Sequence, residues 1–151
     1  MTTALALQAP DVFAAVSPWS ALVNPDQELV LPEKINPAVP FMFLFGDRDW
    51  LVADREHGEM EFGVTAPVAA FLRNLIKLYG LEEKPLRYTC GEISWFVYRN
   101  QNKVPMLSVG RVAGMTHANY PRESWIAYDE FLCRFSKTAE GELLYMGEKA
   151  V

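Results

Sequence analysis

Five consecutive apolar residues, Phe41-Met42-Phe43-Leu44-Phe45, constrain the fold of this chain more than any other feature. A strand with one face in water alternates apolar and polar side chains, whereas a strand buried on both faces is apolar throughout. The run ends abruptly at Gly46-Asp47-Arg48-Asp49. The sequence therefore predicts a strand inside a mainly parallel sheet.

Helical segments alternate with such strands. Residues 2–8 are rich in Ala and Leu and predict a helix that Pro10 stops. Residues 12–16 (VFAAV) predict a second short buried strand. A longer helix is predicted after Thr65, with Thr65 as its N-cap, Pro67 in its first turn and Gly80 just beyond its end.

The second half of the chain predicts a hairpin and a closing helix. Residues 93–98 and 106–112 flank a polar stretch, which is typical of a hairpin. A helix is expected from about Arg122 to Phe135. Its expected buried stripe contains three aromatic residues and one leucine, namely Trp125, Tyr128, Leu132 and Phe135.

This order of elements predicts an α/β fold with flanking helices and a hairpin insertion. Residues 1–137 are interpreted as one domain, and residues 138–151 as a polar tail held loosely except at residues 143–146 (LLYM). The length of 151 residues suits a single domain with a substantial core.

Composition excludes several classes of function. The net charge of −5 and the lack of a basic patch argue against nucleic-acid binding. No apolar run reaches the roughly 20 residues that span a bilayer, so no membrane partner is expected. The N-terminus lacks the basic residues of a signal peptide and matches one poorly, and the compartment stays open. No metal-ligand spacing occurs, so no metal or cofactor is expected. Cys90 and Cys133 are interpreted as buried free thiols, with a single bridge as the alternative.

Two candidate catalytic residues follow strands. Ligands and catalytic groups gather at the carboxyl ends of parallel strands. Asp49 follows the predicted strand at residues 41–45, with Asp47 as the alternative, and His117 follows the last predicted strand. A histidine in such a pair acts as a general base that the carboxylate orients. The competing interpretations are a turn-forming acid and a hydrogen-bonded loop histidine. His57, among charged residues, is interpreted as a solvated side chain.

Three segments carry a resemblance to a known family. VPFMFLFGDRDWLV resembles the strand-and-acid segment of α/β-hydrolases, and GMTHANYPRESWIAYDEFLCRFSK resembles their histidine loop and last helix. MTTALALQAPDVFAAVSPWSAL resembles the helix and strand that follow the nucleophile in polyhydroxybutyrate-depolymerase-like and feruloyl-esterase-like hydrolases. The resemblance covers about residues 1–136. It implies the C-terminal half of a carboxylic-ester hydrolase, with Asp49 as the triad acid and His117 as the triad histidine. Members of this group are often secreted.

The family's nucleophile motif is missing. A serine hydrolase of this fold needs G-x-S-x-G, and none occurs in this sequence. The resemblance places the nucleophile a few residues before Met1, together with part of the oxyanion hole. We therefore expect little esterase activity from the chain alone. The alternatives are a non-catalytic binding or self-assembling domain and an unrelated α/β domain with a structural His117.

The resemblance also predicts partners. An ester is the expected substrate, with four aromatic residues as candidates for its pocket or for the core, Trp19, Trp50, Trp95 and Tyr120. The strand at residues 12–16 would lack its neighbour, which would expose Phe13, Val16 and Trp19. An unpaired edge invites another chain, so self-association is expected.

Overall fold

The computed structural model describes residues 2–18 and 38–151. The prediction for Trp19 lies outside these ranges, and so do residues 25–37 of the loop that the prolines predict over residues 25–40. Three α-helices, one 3₁₀-helix and seven strands are present in the described residues. In chain order they are α1 (Thr2–Gln8), β1 (Phe41–Gly46), α2 (Ala66–Leu78), β2 (Leu86–Cys90), β3 (Ile93–Arg99), β4 (Pro105–Val112), α3 (Glu123–Glu130), the 3₁₀-helix (Leu132–Arg134), β5 (Phe135–Lys137), β6 (Leu143–Tyr145) and β7 (Glu148–Lys149).

The main sheet has four strands in the order β1-β4-β3-β2. β1 and β4 are parallel, with Phe41 opposite Leu107 and Gly46 opposite Val112. β4, β3 and β2 pair antiparallel. The predicted mixture of helices and strands is confirmed, but the sheet is mixed rather than mainly parallel, because the predicted hairpin contributes two strands to the sheet itself and β2 extends it further. The parallel pair nevertheless brings the carboxyl ends of β1 and β4 to one edge.

Phenylalanine side chains build the core on one face of this sheet. All six residues of β1 are buried, as predicted for Phe41–Phe45. The Phe41 and Phe43 rings stack with centroids 5.4 Å apart, and Phe43 meets Phe71 of α2 edge to face at 6.2 Å. Helix α2 has the predicted ends: Thr65 is the N-cap, Pro67 lies in the first turn, and Gly80 adopts a φ of +59° just past Tyr79.

The predicted strand at residues 12–16 is largely wrong. Only Val16 pairs, through a parallel bridge to Phe41, with a hydrogen bond of 3.0 Å from the Met42 amide to the Val16 carbonyl. Val12 belongs to a turn instead, since its amide donates to the Ala9 carbonyl over 3.1 Å, and residues 13–15 form no strand. Val16 is buried and Phe13 half-buried, so the expected exposure of both side chains is also wrong.

The last helix is shorter than predicted and presents another face to the core. α3 ends at Glu130, because Phe131 leaves helical geometry at φ −139°. Trp125 and Tyr128 are 70% and 60% exposed, whereas Glu123 and Ala127 are buried. The buried stripe thus runs through a glutamate, which a search for apolar residues passes over.

The residues after Lys137 are ordered, in contrast to the prediction of a loosely held tail. β5, β6 and β7 form a small antiparallel sheet across the proposed boundary at residue 137, with Phe135 opposite Tyr145. Leu143 and Ala150 are fully buried, and the Asn100 side-chain amide donates to the Ala150 carbonyl over 2.7 Å. The segment therefore belongs to the folded unit.

The cysteine prediction is half right. Cys90 and Cys133 are free, but both are exposed rather than buried. Cys90 ends the outermost strand, and Cys133 lies in the 3₁₀-helix. Neither position reaches the core.

Candidate functional site

Asp49 lies in the turn that follows β1. Its amide donates to the Gly46 carbonyl over 3.0 Å, which closes the turn and directs the carboxylate inward. The side chain is fully buried. One carboxylate oxygen, Oδ1, accepts a hydrogen bond of 3.1 Å from the Leu51 amide. The turn therefore fixes the carboxylate without relying on solvent.

His117 lies in the loop that follows β4. Its Nδ1 atom is 3.0 Å from Oδ2 of Asp49, the carboxylate oxygen that Leu51 does not bind. The imidazole is 45% exposed, so one side contacts the buried carboxylate and the other faces outward. In the described part of the chain, no hydrogen bond joins Nε2 to another side chain. A carboxylate at Nδ1 favours the tautomer with the proton on Nδ1 and a lone pair on Nε2.

Backbone contacts hold the two loops together. The Arg48 amide donates to the Met115 carbonyl over 2.9 Å, and the Asp47 amide donates to the Val112 carbonyl over 3.0 Å. The Asp47 carboxylate accepts from the Gly114 amide at 2.8 Å. Asp47, the alternative triad acid, thus ties the loops together, while Asp49 makes the contact with His117.

Gly46 makes this close approach possible. A Cβ atom at position 46 would lie 2.0 Å from the Met115 carbonyl oxygen, inside the backbone of the histidine loop. Only glycine leaves room for the two loops to touch. The glycine at the end of β1 therefore sets the distance between acid and histidine.

The far end of the histidine loop is anchored by Tyr120. Its hydroxyl donates to Glu92 over 2.7 Å, and its amide donates to Oε2 of Glu123 over 3.1 Å. The hydrogen bond to Glu92 is the main cause of the raised pKa of the Tyr120 hydroxyl. These contacts connect the loop to the β2–β3 turn and to the start of α3.

Glu123 is an unusual residue in this anchor. Its side chain is 1% exposed, and Oε1 has no hydrogen-bond partner among the described residues. Burial raises the pKa of Glu123 to about 7, against the opposing effect of the Tyr120 amide. The carboxyl is consequently about half protonated near neutral pH.

A groove of about 670 Å³ lies on the other face of the sheet from the phenylalanines. Trp95 and Tyr120, two of the predicted pocket residues, line it, together with Tyr88, which stacks on Trp95 at 6.4 Å. Trp95 is almost completely buried, so its core role and its lining role coincide. Trp50 is exposed beside Asp49 and does not line this groove.

The arrangement supports proton transfer. A buried carboxylate that binds one imidazole nitrogen leaves the other nitrogen free to accept a proton from a hydroxyl. No cluster of three or more potential metal ligands exists in residues 2–18 and 38–151.

His57 is exposed, as predicted, and its amide donates a hydrogen bond of 2.9 Å to the Asp54 carboxylate. No helix in these same ranges is long and apolar enough to cross a bilayer.

Sequence reasoning missed Gly46, Glu92 and Glu123 as parts of the site. The signal for Gly46 was its position directly after the apolar run of residues 41–45. Glu123 stands three residues after Tyr120, a spacing at which a side chain can reach back to an amide at a helix start. Glu92 carried no local signal, since its role depends on the sheet.

Neither the comparison with protein-family models nor that with curated proteins found a match to this chain. The geometry of the two loops is therefore the basis for a functional conclusion.

Proposed function

We propose that Asp49 and His117 are the acid and the general base of a hydrolytic triad, in a chain that corresponds to the C-terminal half of an α/β-hydrolase acting on carboxylic esters. The observation that carries the proposal is the 3.0 Å contact between His117 Nδ1 and the buried Asp49 carboxylate. The two residues follow parallel neighbouring strands, and the acid precedes the histidine in the chain. This order is the one that α/β-hydrolases use.

The division of roles follows from burial. Asp49 is fully buried and holds the imidazole by Nδ1, which stabilises the positive charge that forms when Nε2 takes a proton. Nε2 lies on the exposed side and would accept the proton of a nucleophilic hydroxyl. Because the sequence has no G-x-S-x-G, we propose that this hydroxyl belongs to another polypeptide segment. The substrate would then be an ester bound beside that segment.

The alternative is a non-catalytic binding or self-assembling domain that retains the pair without its chemistry. The missing nucleophile motif favours it. The contact with His117 argues against it, because the turn itself uses only Oδ1 of Asp49, through the Leu51 amide, and Oδ2 is directed at the imidazole.

Labelling with a serine-reactive fluorophosphonate tests the placement of the nucleophile. Intact-mass analysis of the wild type and of His117→Ala should show no adduct on either protein. A stoichiometric adduct on the wild type that is lost in the variant would mean that a serine of this chain is activated, and the proposed external nucleophile would be wrong.

A further inference from the structure

Strand β2 leaves one edge of the main sheet open to solvent. Within residues 2–18 and 38–151, no strand pairs with it on the side away from β3, and all five of its residues are exposed. Such an edge presents backbone N–H and C=O groups that can accept another strand.

The hairpin geometry identifies those groups. The two-residue turn Gly91-Glu92 joins β2 to β3, with Cys90 opposite Ile93 and Tyr88 opposite Trp95. In such a hairpin, the residues flanking the turn exchange hydrogen bonds, and so does every second pair beyond them. The N–H and C=O groups of the intervening residues, Arg87 and Thr89, therefore point outward.

This edge lacks the usual protection. Natural edge strands are guarded by unpaired charges, prolines or bulges. The only charged residue of β2 is Arg87, and its guanidinium forms an ion pair with Glu61. Leu86 and Tyr88 are 48% and 49% exposed and cover the edge of the groove with apolar surface.

We propose that β2 pairs antiparallel with β2 of a second copy of this chain, about a two-fold axis at Tyr88, which joins the two four-stranded sheets into one. In this register Arg87 of each copy is opposite Thr89 of the other, so all the outward backbone groups of both strands are paired. Leu86 is opposite Cys90, and the two Tyr88 side chains are adjacent on the groove side.

Charge favours the register with the two-fold axis at Tyr88 over the one with the axis at Arg87. A two-fold axis at Arg87 would place two like charges directly opposite, which destabilises a strand pair. With the axis at Tyr88, Lys84 of one copy lies across from Glu92 of the other, since both are four residues from the axis. Opposite charges thus meet at both ends of the interface.

This interface differs from the one expected from the sequence. The sequence predicts pairing through residues 12–16, but Val16 is buried and bridges to Phe41 of β1. The proposed dimer also stands independently of the catalytic proposal, since no residue of β2 contacts the Asp49–His117 pair in the described hydrogen bonds.

Light scattering of the whole chain at micromolar concentrations is the first test. The wild type should be a dimer. Tyr88→Glu should be a monomer, because it places two carboxylates at the axis, and its melting temperature should show that it still folds. A monomeric wild type, or a Tyr88→Glu protein that remains a dimer, would overturn the proposal.

Cysteine cross-linking tests the register. In a Cys90→Ser, Cys133→Ser background, Tyr88→Cys should form an inter-chain disulfide on mild oxidation, since facing residues of this type have Cα atoms about 4.5 Å apart. Thr89→Cys is the matched control and should not cross-link, because its counterpart lies diagonally at about 7–8 Å. Equal cross-linking of both variants, or cross-linking through Val12→Cys instead, would exclude this interface.

Discussion

Asp49 is the residue on which the candidate site depends, because its buried carboxylate binds His117 and the Leu51 amide at once. Replacement by asparagine keeps the shape but removes the charge. An asparagine can present its NH₂ group to Nδ1, which favours the opposite tautomer of the imidazole.

We expect Asp49→Asn to abolish the downfield NMR resonance of a proton on His117 Nδ1, because that proton is held by the carboxylate. Asp47→Asn is the matched control, since Asp47 binds Gly114 and not the histidine. The resonance should persist in the control. Its persistence in Asp49→Asn would show that the carboxylate does not set the tautomer.

The raised pKa of Glu123 predicts that the stability of the protein depends on pH. Burial raises its pKa in the folded state to about 7 from the ordinary value of 4.5. Between these two values the folded protein binds more protons than the unfolded chain, so the free energy of unfolding falls as pH rises. The contribution is fully present below pH 4.5 and is lost as pH passes about 7.

Replacement of Glu123 by glutamine should remove this dependence. We expect Glu123→Gln to be more stable than the wild type above pH 7, by on the order of 3 kcal/mol, and to differ little from it at pH 4.5. Urea unfolding across this range measures the difference. Glu140→Gln, at an exposed position, should track the wild type. Parallel pH profiles for Glu123→Gln and the wild type would contradict the assignment.

The pairing of an acid with His117 was predictable from the position of the residues, whereas the preference for Asp49 over Asp47 came from the family resemblance. Strand ends concentrate functional groups in any parallel pair, so residue type and position sufficed to nominate Asp47, Asp49 and His117. The choice depends on the turn after Gly46, in which the Asp49 amide bonds back to the Gly46 carbonyl. That turn is stabilised by contacts with the β4 loop, which lies more than sixty residues further along the chain.

At the level of elements, the contact between the β1 end and the histidine loop is the most constrained. We expect Gly46→Ala to destabilise the protein by about 1–3 kcal/mol and to weaken the His117 Nδ1 resonance, because its Cβ would clash with the Met115 backbone.

Gly80→Ala is the control that separates backbone strain from a steric clash of the added Cβ. Gly80 has a positive φ but nothing within 4 Å of its missing Cβ. Its replacement should cost about 1 kcal/mol through backbone strain alone and leave the resonance intact. An unchanged resonance in Gly46→Ala would mean that the close approach does not position the histidine.

Elements with strong local signals were predicted, and elements defined by tertiary packing were not. α2 has capping and periodicity that agree, so its ends matched. β2 was missed although its residues alternate between apolar and polar types (LRYTC), because five exposed residues form a weak pattern. The buried face of α3 was predicted wrongly, because it begins with Glu123, a charged residue whose carboxylate accepts a hydrogen bond from the Tyr120 amide.

At the scale of the whole molecule, the C-terminal segment closes the fold. Leu143 is fully buried in the small sheet. We expect Leu143→Ala to lower the free energy of unfolding by about 2–5 kcal/mol in a single cooperative transition. Met146→Ala, at a 70% exposed position in the turn between β6 and β7, should have little effect. A separate low-temperature transition for the segment would show that residues 138–151 fold independently of the rest.

The central claim is that Asp49 makes His117 a reactive base, and the rate of histidine carbethoxylation by diethyl pyrocarbonate tests it most directly. The chain has two histidines, and exposed His57 serves as the internal reference. Peptide mass spectrometry above the ordinary pKa of histidine compares the two rates in the wild type, Asp49→Asn and Asp47→Asn. We predict that Asp49→Asn slows modification of His117 several-fold, while the rate at His57 and both rates in Asp47→Asn stay unchanged. Equal rates at His117 in the wild type and in Asp49→Asn would contradict the claim.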